Sequence, residues 1–383
     1  MAGPVTVVWD EALAAYDFGP QHPLRPARVQ LTMALARSCG LLEQVRVAGP
    51  AAVSGTDLTR VHELDYLAAV KAAGRGDADP RFGFGPGDNP PFPGMHEAAT
   101  RVCGATVAAA EAIRSGAALH AFSPAGGLHH AMADRASGFC VYNDPAVAIA
   151  WLLDQGVERI AYLDVDVHHG DGVEAIFAGE PRVLTVSLHE SGRYLFPGTG
   201  FAHEVGEGPA RGTVANLPLP PSTTDDLYLA AFDAVVPALV RAFQPEVLVT
   251  QLGCDTHYSD PLAHLGLTVG AYRQLAGRLH DLAHTVTEGR WLATGGGGYQ
   301  WAAVVPRAWC TYLAEMVGTE LPAQLPEAYL DEAADRFGAL VAPDMADEVV
   351  ALRSEHRSRV EAELGRTIEV ARSNLFPLHG LTA

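Results

Sequence analysis

The segment LDVDVHHGDG at residues 163–172 places acidic and histidine side chains directly after an apolar run. Because side chains alternate along a strand, Asp164, Asp166 and His168 are predicted to lie on one face. Carboxylates are costly to bury alone, so this group needs a cation, hydrogen-bond donors or water. We therefore predict a divalent metal ion here, and an exposed strand end with solvated acids is the alternative.

A third metal ligand is expected from a neighbouring strand. Catalytic zinc sites typically take three protein ligands from His, Asp, Glu or Cys and leave one position open for water. Asp166 and His168 provide two, and Asp255 follows the apolar run at residues 247–252. Ligand sites in parallel sheets lie beyond the carboxyl ends of the strands, which is where Asp255 is expected.

Two further apolar runs end in groups that suit amide hydrolysis. His129 and His130 follow one run, and Tyr299 follows another through four glycines. In such a reaction a metal polarises the carbonyl, a histidine accepts a proton, and a phenol stabilises the oxyanion. Asp164 and Asp171 are expected to hold the two histidine rings. A histidine pair or a glycine run by itself is more often structural, but their combination favours a hydrolase.

The rest of the pattern predicts the elements that position these groups. Short runs rich in Val, Ile and Leu alternate with segments of helical periodicity, as is typical of a parallel sheet covered by helices. Asp144, which precedes a proline, is expected to cap a helix. Segments 83–94 and 196–212 are expected to be functional loops. We predict strands at residues 5–9, 119–123, 159–167, 182–189, 247–252 and 291–294, and helices at 26–38, 97–115, 145–155, 225–243 and 269–288.

The predicted fold class is α/β, with one three-layer domain over residues 1–383. Its central sheet is expected to be mostly parallel and flanked by helices. The chemical motifs lie within about residues 5–315, and residues 316–383 are expected to form a helical C-terminal extension packed on the same domain.

Composition and charge exclude several classes of protein. The chain has 45 acidic and 26 basic residues, and its formal charge of −19 argues against a nucleic-acid partner. The five cysteines are widely spaced without a C-x-x-C pair, which fits a reducing cytoplasm. We identify no signal peptide and no apolar run long enough to span a membrane. A cytoplasmic protein without membrane contact is therefore expected.

The chain resembles the histone deacetylase superfamily, which is related in fold to the arginases, and in detail the bacterial acetoin-utilization deacetylases. The motifs that carry the resemblance occur in family order: LHH, GFCVYND, DVDVHHGDG, VSLH, FPGTG, QLGCD and GGGGY. The resemblance implies that Asp166, His168 and Asp255 are the metal ligands. It also implies that Tyr299 polarises the substrate carbonyl.

The same resemblance assigns different tasks to the two histidines. It makes His130 the general base and His129 mainly an electrostatic group. Asp164 is implied behind His129, and Asp171 behind His130.

Further residues are implied as substrate and potassium ligands. Gly138, Phe139 and Phe196 match the tunnel that holds an acyl-lysine, where the two aromatic faces pack on methylene groups. Asp88 matches a rim aspartate that holds the substrate backbone. The family also binds K⁺, and the implied potassium site uses Asp164, Asp166 and Ser187 with backbone carbonyls of His168 and Leu188.

The function implied by the resemblance is hydrolysis of acetyl-lysine amides in proteins, releasing acetate and free lysine. The expected metal is Zn²⁺, with Fe²⁺ as the alternative because both accept these ligands. Bacterial relatives suggest acetyl-CoA synthetase as the protein substrate. Two other functions stay open: deacetylation of small amines such as acetylpolyamines, and a catalytically silent binding protein. Cys254 departs from the small residue that is common in the family before Asp255.

Overall fold

The computed structural model describes residues 3–383, and its strands form a single sheet in which each paired neighbour is parallel. The strand order is β2-β1-β3-β8-β7-β4-β5-β6. The predicted α/β fold class is confirmed. The strands are β1 (Val5–Val8), β2 (Arg46–Ala48), β3 (His120–Ser123), β4 (Ile160–Asp164), β5 (Val183–Glu190), β6 (Val214–Leu219), β7 (Val247–Gln251) and β8 (Trp291–Thr294).

Helices cover both faces of this sheet and bury two apolar cores against it. One core is built from α1 and the helices from α7 onward, and the other from helices between α3 and α6. The central strands β4 and β7 are buried along their whole length and are mainly apolar, because neither of their faces meets water. The helices are α1 (Ala27–Ser38), α2 (Gly55–Leu58), α3 (Leu64–Ala73), α4 (Met95–Arg114), α5 (Asp144–Asp154), α6 (Asp171–Phe177), α7 (Asp225–Phe243), α8 (Val269–Thr287), α9 (Val305–Val317), α10 (Glu327–Phe337) and α11 (Ser354–Leu375).

The sequence pattern missed the two edge strands. β2 has only three residues and is largely exposed, so it has no apolar run. β6 is buried but contains Asn216 and Pro218, and proline is confined to edge positions because it cannot donate to the ladder. Both strands therefore lack the signal by which the six inner ones were recognised.

Strand β4 is shorter than predicted and ends at Asp164 rather than at residue 167. The backbone N–H groups after Asp164 donate to side chains. The Asp166 N–H donates to the Asp164 carboxylate at 3.2 Å, and the Val167 N–H donates to the Asp255 carboxylate at 2.9 Å. Strand alternation therefore does not position Asp166 and His168. Hydrogen bonds in the turn after β4 do so instead.

The predicted cap of α5 is also wrong. Asn143 is the N-cap, and its side chain accepts the Ala146 N–H at 3.0 Å. Asp144 is the first helical residue, and its buried carboxylate accepts the N–H groups of Gly127 and Leu128. It thereby holds the loop that leads to the histidine pair.

The C-terminal segment packs against the sheet edge. Helix α11 contacts β6 and α7, and the Thr367 hydroxyl donates to the Pro218 carbonyl at 3.1 Å. An edge strand with free backbone groups is a site of unwanted pairing, and α11 covers this one. No helix among residues 3–383 combines the length and the apolar composition that a membrane span requires.

Candidate active site

Four adjacent strands carry the chemical groups predicted from the sequence. In the order β3-β8-β7-β4, each strand is followed at its carboxyl end by site residues. The sheet therefore brings segments that are far apart in the chain together at the carboxyl ends of its strands. Open α/β sheets bind ligands at this end of the strands.

The structure brings the three predicted metal ligands together. Nδ1 of His168 lies 3.2 Å from Oδ1 of Asp166 and 3.1 Å from Oδ2 of Asp255. Potential ligand atoms of these residues all lie within 4.8 Å of one another, and all three side chains are buried. Two carboxylates and one imidazole are a donor set that divalent zinc or iron accepts.

Opposite charges stabilise one another within this buried cluster. Burial, together with the charge of Asp166, raises the pKa of Asp255 to about 7. Burial also acts to raise the pKa of Asp166, but His129 and His168 outweigh it and hold that pKa well below its usual range. Burial opposes the charge on His168, yet the two carboxylates raise its pKa to about 10. In the absence of a metal, protons balance the buried charge.

Two glycines allow the backbone to approach this cluster. A Cβ on Gly253 would collide with the carboxylate of Asp166, and a Cβ on Gly297 would collide with that of Asp255. The Gly297 N–H also donates to Asp166 at 2.6 Å. The donor set, its burial and the close approach of the two glycines fit a divalent metal ion.

The two tandem histidines are each held by a different carboxylate. Nδ1 of His129 lies 2.7 Å from Oδ2 of Asp164, and Nδ1 of His130 lies 2.6 Å from Oδ1 of Asp171. The two Nε2 atoms lie 3.1 Å apart. Since the carboxylates hold Nδ1, Nε2 is the nitrogen that each ring offers to a reacting group.

The two rings have opposite electrostatic surroundings. Burial alone would lower the pKa of His129, but the carboxylates of Asp164 and Asp166 outweigh it and raise that pKa to about 9. Burial lowers the pKa of His130 to about 4, and the charge of His129 acts in the same direction. One ring therefore carries positive charge while the other is neutral and can accept a proton.

Tyr299 lies beside the cluster of Asp166, His168 and Asp255, at the end of the glycine run. Its ring centroid lies 6.5 Å from that of His168. Its backbone N–H donates to the Asp260 carboxylate at 2.9 Å, which fixes the turn. Burial raises the pKa of the Tyr299 phenol well above its usual range, so the hydroxyl remains a donor.

Two phenylalanine rings pack against residues of the site. The Phe139 ring packs edge-on against Tyr299 at 5.7 Å, and the Phe196 ring packs against His130 at 5.0 Å. Phe196 is 43% exposed, so its ring is open to solvent. A Cβ on Gly138 would collide with the His130 ring, which explains glycine there.

The remaining predicted residues have partners in and around the site. Asp88 is exposed, and its carbonyl lies 3.1 Å from Nε2 of His22, whose ring packs on Phe139. Ser187 pairs in register with Asp164 across β4 and β5, and Leu188 is the next residue of β5. The Ser187 hydroxyl lies 2.8 Å from Nδ1 of His189.

The sequence analysis missed several residues that hold the site residues in place. The Gln251 amide donates to Asp166 at 2.7 Å, and the Tyr162 hydroxyl donates to Asp164 at 2.6 Å. Both are polar residues within mainly apolar strands, and that pattern in the sequence could have indicated a role in the site. Asp260, which accepts from Tyr299, gave no such signal because it lies in an irregular segment.

Arg28 was missed as well. It is buried in α1, and its guanidinium donates to the Gly296 carbonyl at 2.5 Å, so it braces the glycine run. Cys254 is buried next to Asp255, and burial raises the pKa of its thiol well above the usual range. That thiol stays protonated, and nothing in the structure gives it a chemical role.

The fold is that of the arginase/deacetylase-like α/β proteins. Residues 22–316 match the family model described as the histone deacetylase domain. The chain therefore belongs to the histone deacetylase family.

Individual relatives place the chain more closely within that family. It is 42% identical over 327 residues to the acetoin utilization protein AcuC of Bacillus subtilis, covering 84% of both chains. It is 37% identical over 306 residues to AcuC of Staphylococcus aureus, covering 79% of both.

Two solved structures are similar over nearly the whole chain. The crystal structure of a deacetylase homolog from Aquifex aeolicus superposes with a TM-score of 0.84 at 30% identity, covering 96% of this chain and all of that one. A homolog complexed with SAHA gives a TM-score of 0.83 at the same identity and coverage. The chain is thus a histone deacetylase family protein that is similar to the acetoin utilization proteins.

Proposed function

We propose that this protein hydrolyses acetyl-lysine amide bonds in proteins, using a divalent metal held by Asp166, His168 and Asp255. The observation that carries the proposal is the convergence of these three residues beside Tyr299 and His130. The Phe139 ring packs against Tyr299 and the Phe196 ring against His130, so both aromatic side chains lie beside the groups that would react.

The residues of the chain divide the work of amide hydrolysis. Phe139 and Phe196 pack on the lysine methylenes and exclude water. Tyr299 donates a hydrogen bond from its hydroxyl to the carbonyl oxygen as negative charge develops there. Nε2 of His130 accepts the proton of the attacking water and later returns it to the leaving amine, while Asp171 holds the ring through Nδ1. His129 contributes positive charge.

A divalent metal in this site would supply Lewis acidity, polarising the carbonyl and acidifying a water molecule. We propose Zn²⁺, with Fe²⁺ as the alternative for the same ligands. We propose K⁺ as well, bound by Asp164, Asp166 and Ser187 with the carbonyls of His168 and Leu188. The side-by-side register of Asp164 and Ser187 supports the potassium site.

Removal of the metal tests this mechanism. We expect a chelator to abolish the release of acetate from an acetyl-lysine peptide, and Zn²⁺, Fe²⁺ or Co²⁺ to restore it. Elemental analysis of the treated protein is the control, because it shows whether the metal has gone. Full activity in protein free of metal would refute the mechanism.

The substrate class needs a separate comparison. Acetyl-lysine peptides and acetylated polyamines are assayed in parallel with the same metal-loaded protein. We expect the peptides to react with the higher kcat/KM, and a large preference for polyamines would make this a small-amine deacetylase. No turnover on any acyl substrate would instead indicate a silent binding protein.

For the protein substrate we propose acetyl-CoA synthetase, which the resemblance to bacterial deacetylases implies. The exposed Asp88 is proposed to hold the substrate backbone. We also propose a cytoplasmic location. All five cysteines are free thiols, which supports a reducing compartment.

A further inference from the structure

A second group of converging histidines lies at the other end of the strands from the candidate active site. His120 is the first residue of β3, whereas the tandem histidines follow the last residue of that strand. His280 and His284 lie four residues apart in α8 and therefore share a face of the helix. Potential ligand nitrogens of these three residues all lie within 4.8 Å of one another. We call this group the histidine cluster.

The spacing of the cluster fits a metal ion better than a hydrogen-bond network. Nε2 of His280 lies 3.2 Å from Nε2 of His120 and 3.1 Å from Nε2 of His284. A neutral ring nitrogen carries either one proton or one lone pair, so Nε2 of His280 cannot serve both neighbours equally well. Around a tetrahedral zinc ion, with Zn–N bonds of about 2.0–2.1 Å, ligand nitrogens lie roughly 3.3 Å apart.

A carboxylate prepares one ring of the histidine cluster for a metal. Oε1 of Glu315, in α9, lies 3.1 Å from Nδ1 of His280. When the carboxylate accepts the Nδ1–H, the lone pair is left on Nε2, which faces the other two rings. Metal-bound histidines commonly have such a carboxylate behind them.

The other two rings suit the same role. His120 is fully buried, and its Nε2 faces that of His280 at 3.2 Å. His284 is exposed, so an ion can reach the cluster from solvent and keep water in its open position.

We propose that His120, His280 and His284 form a second metal site, which binds Zn²⁺ or a similar late transition metal through three imidazole nitrogens. Imidazole ligands select this class of metal over Mg²⁺ and Ca²⁺. The site joins the start of β3 to α8 and, through Glu315, to α9. Its ion is a structural one that does not take part in amide hydrolysis.

Metal stoichiometry tests the proposal. The full-length protein is stripped of metal and titrated with Zn²⁺, and the bound metal is counted by mass spectrometry. We expect His284→Ala to bind one equivalent fewer than the wild type. Alanine favours the helix at this exposed position, so circular dichroism is expected to show an unchanged fold.

A matched control removes an exposed histidine outside both clusters. His203→Ala is expected to bind as many equivalents as the wild type. Equal stoichiometry in His284→Ala and the wild type would overturn the proposal. So would an anomalous difference map at the zinc edge, from zinc-loaded crystals, without a peak between the three Nε2 atoms.

The variant Glu315→Gln distinguishes a specific metal site, in which Glu315 orients His280, from nonspecific metal binding by surface imidazoles. This variant keeps all three imidazoles, so we expect it to bind as many equivalents of Zn²⁺ as the wild type. Its affinity is expected to fall about 10- to 100-fold, because the carboxylate no longer sets the tautomer of His280. An unchanged affinity would count against the site.

Discussion

At the scale of single residues, the candidate site is a set of side chains that are each held by a specific partner. Asp164 and Asp171 orient the two histidine rings, while Gln251 and the Gly297 N–H orient Asp166. Such partners leave few alternative positions for the groups that would react. Single substitutions at this scale are therefore expected to change chemistry more than folding.

Tyr299→Phe is the sharpest of these substitutions. It removes one hydroxyl, and the ring contact with Phe139 is retained. We expect kcat to fall about 10²- to 10³-fold, as for the loss of one oxyanion donor, with little change in the melting temperature. Deacetylation kinetics and thermal unfolding measure the two effects. Undiminished turnover would remove Tyr299 from the mechanism.

At the scale of elements, glycine-rich turns at the carboxyl ends of the strands let the backbone form part of the site. The run after β8 is braced by Arg28 from α1, and its Gly297 lies against the carboxylates of Asp255 and Asp166. A side chain at Gly297 would occupy the space of a carboxylate. These turns thus depend on residue size as well as on flexibility.

Gly297→Ala tests this close approach. The added methyl group would displace the Asp255 carboxylate, so we expect metal affinity to fall by at least about 100-fold and deacetylation with it. Gly277→Ala in α8 is the matched control, since a Cβ there meets open space. It is expected to add about 0.5–1 kcal/mol of stability without changing metal binding. Equal affinity in Gly297→Ala and the wild type would contradict the close approach.

At the scale of the whole molecule, the C-terminal segment is tied to neighbouring helices by a partly buried carboxylate. The Asp347 carboxylate lies 3.0 Å from Nε2 of His257 and 2.9 Å from the Arg307 guanidinium, and it accepts the Val269 N–H. It thus connects the segment before α11 with α8 and α9. That residues 1–383 form one domain stays a prediction, and a single unfolding transition is expected.

Asp347→Asn is expected to weaken this connection. Burial acts to raise the pKa of Asp347, but His257, the Val269 N–H and Arg307 hold that pKa well below its usual range. The free energy of unfolding is expected to fall by about 1.5–3 kcal/mol at pH 7.

The pH dependence of that loss follows from the direction of the shift. The folded-state pKa of Asp347 lies below the unfolded value of about 3.9. Its carboxylate therefore contributes its full stabilisation at pH values above the unfolded pKa, and this contribution shrinks as the pH falls towards the folded-state pKa. Urea unfolding of wild type and variant at pH 7 and at pH 3 measures the difference. A difference that grows on acidification would contradict this account.

The amino-acid sequence by itself determined the six inner strands, five of the helices and the order of the site motifs. It could do so because strands buried on both faces are continuous apolar runs, and because polar groups at their ends stand out against them. Only the tertiary structure decided which strands are neighbours, and so brought Asp255 to Asp166 and His168. It also decided the partners Gln251, Asp260 and Arg28 and the histidine cluster. Contacts between distant segments produce no hydrophobic periodicity in the sequence, because they arise only when the helices and strands pack together.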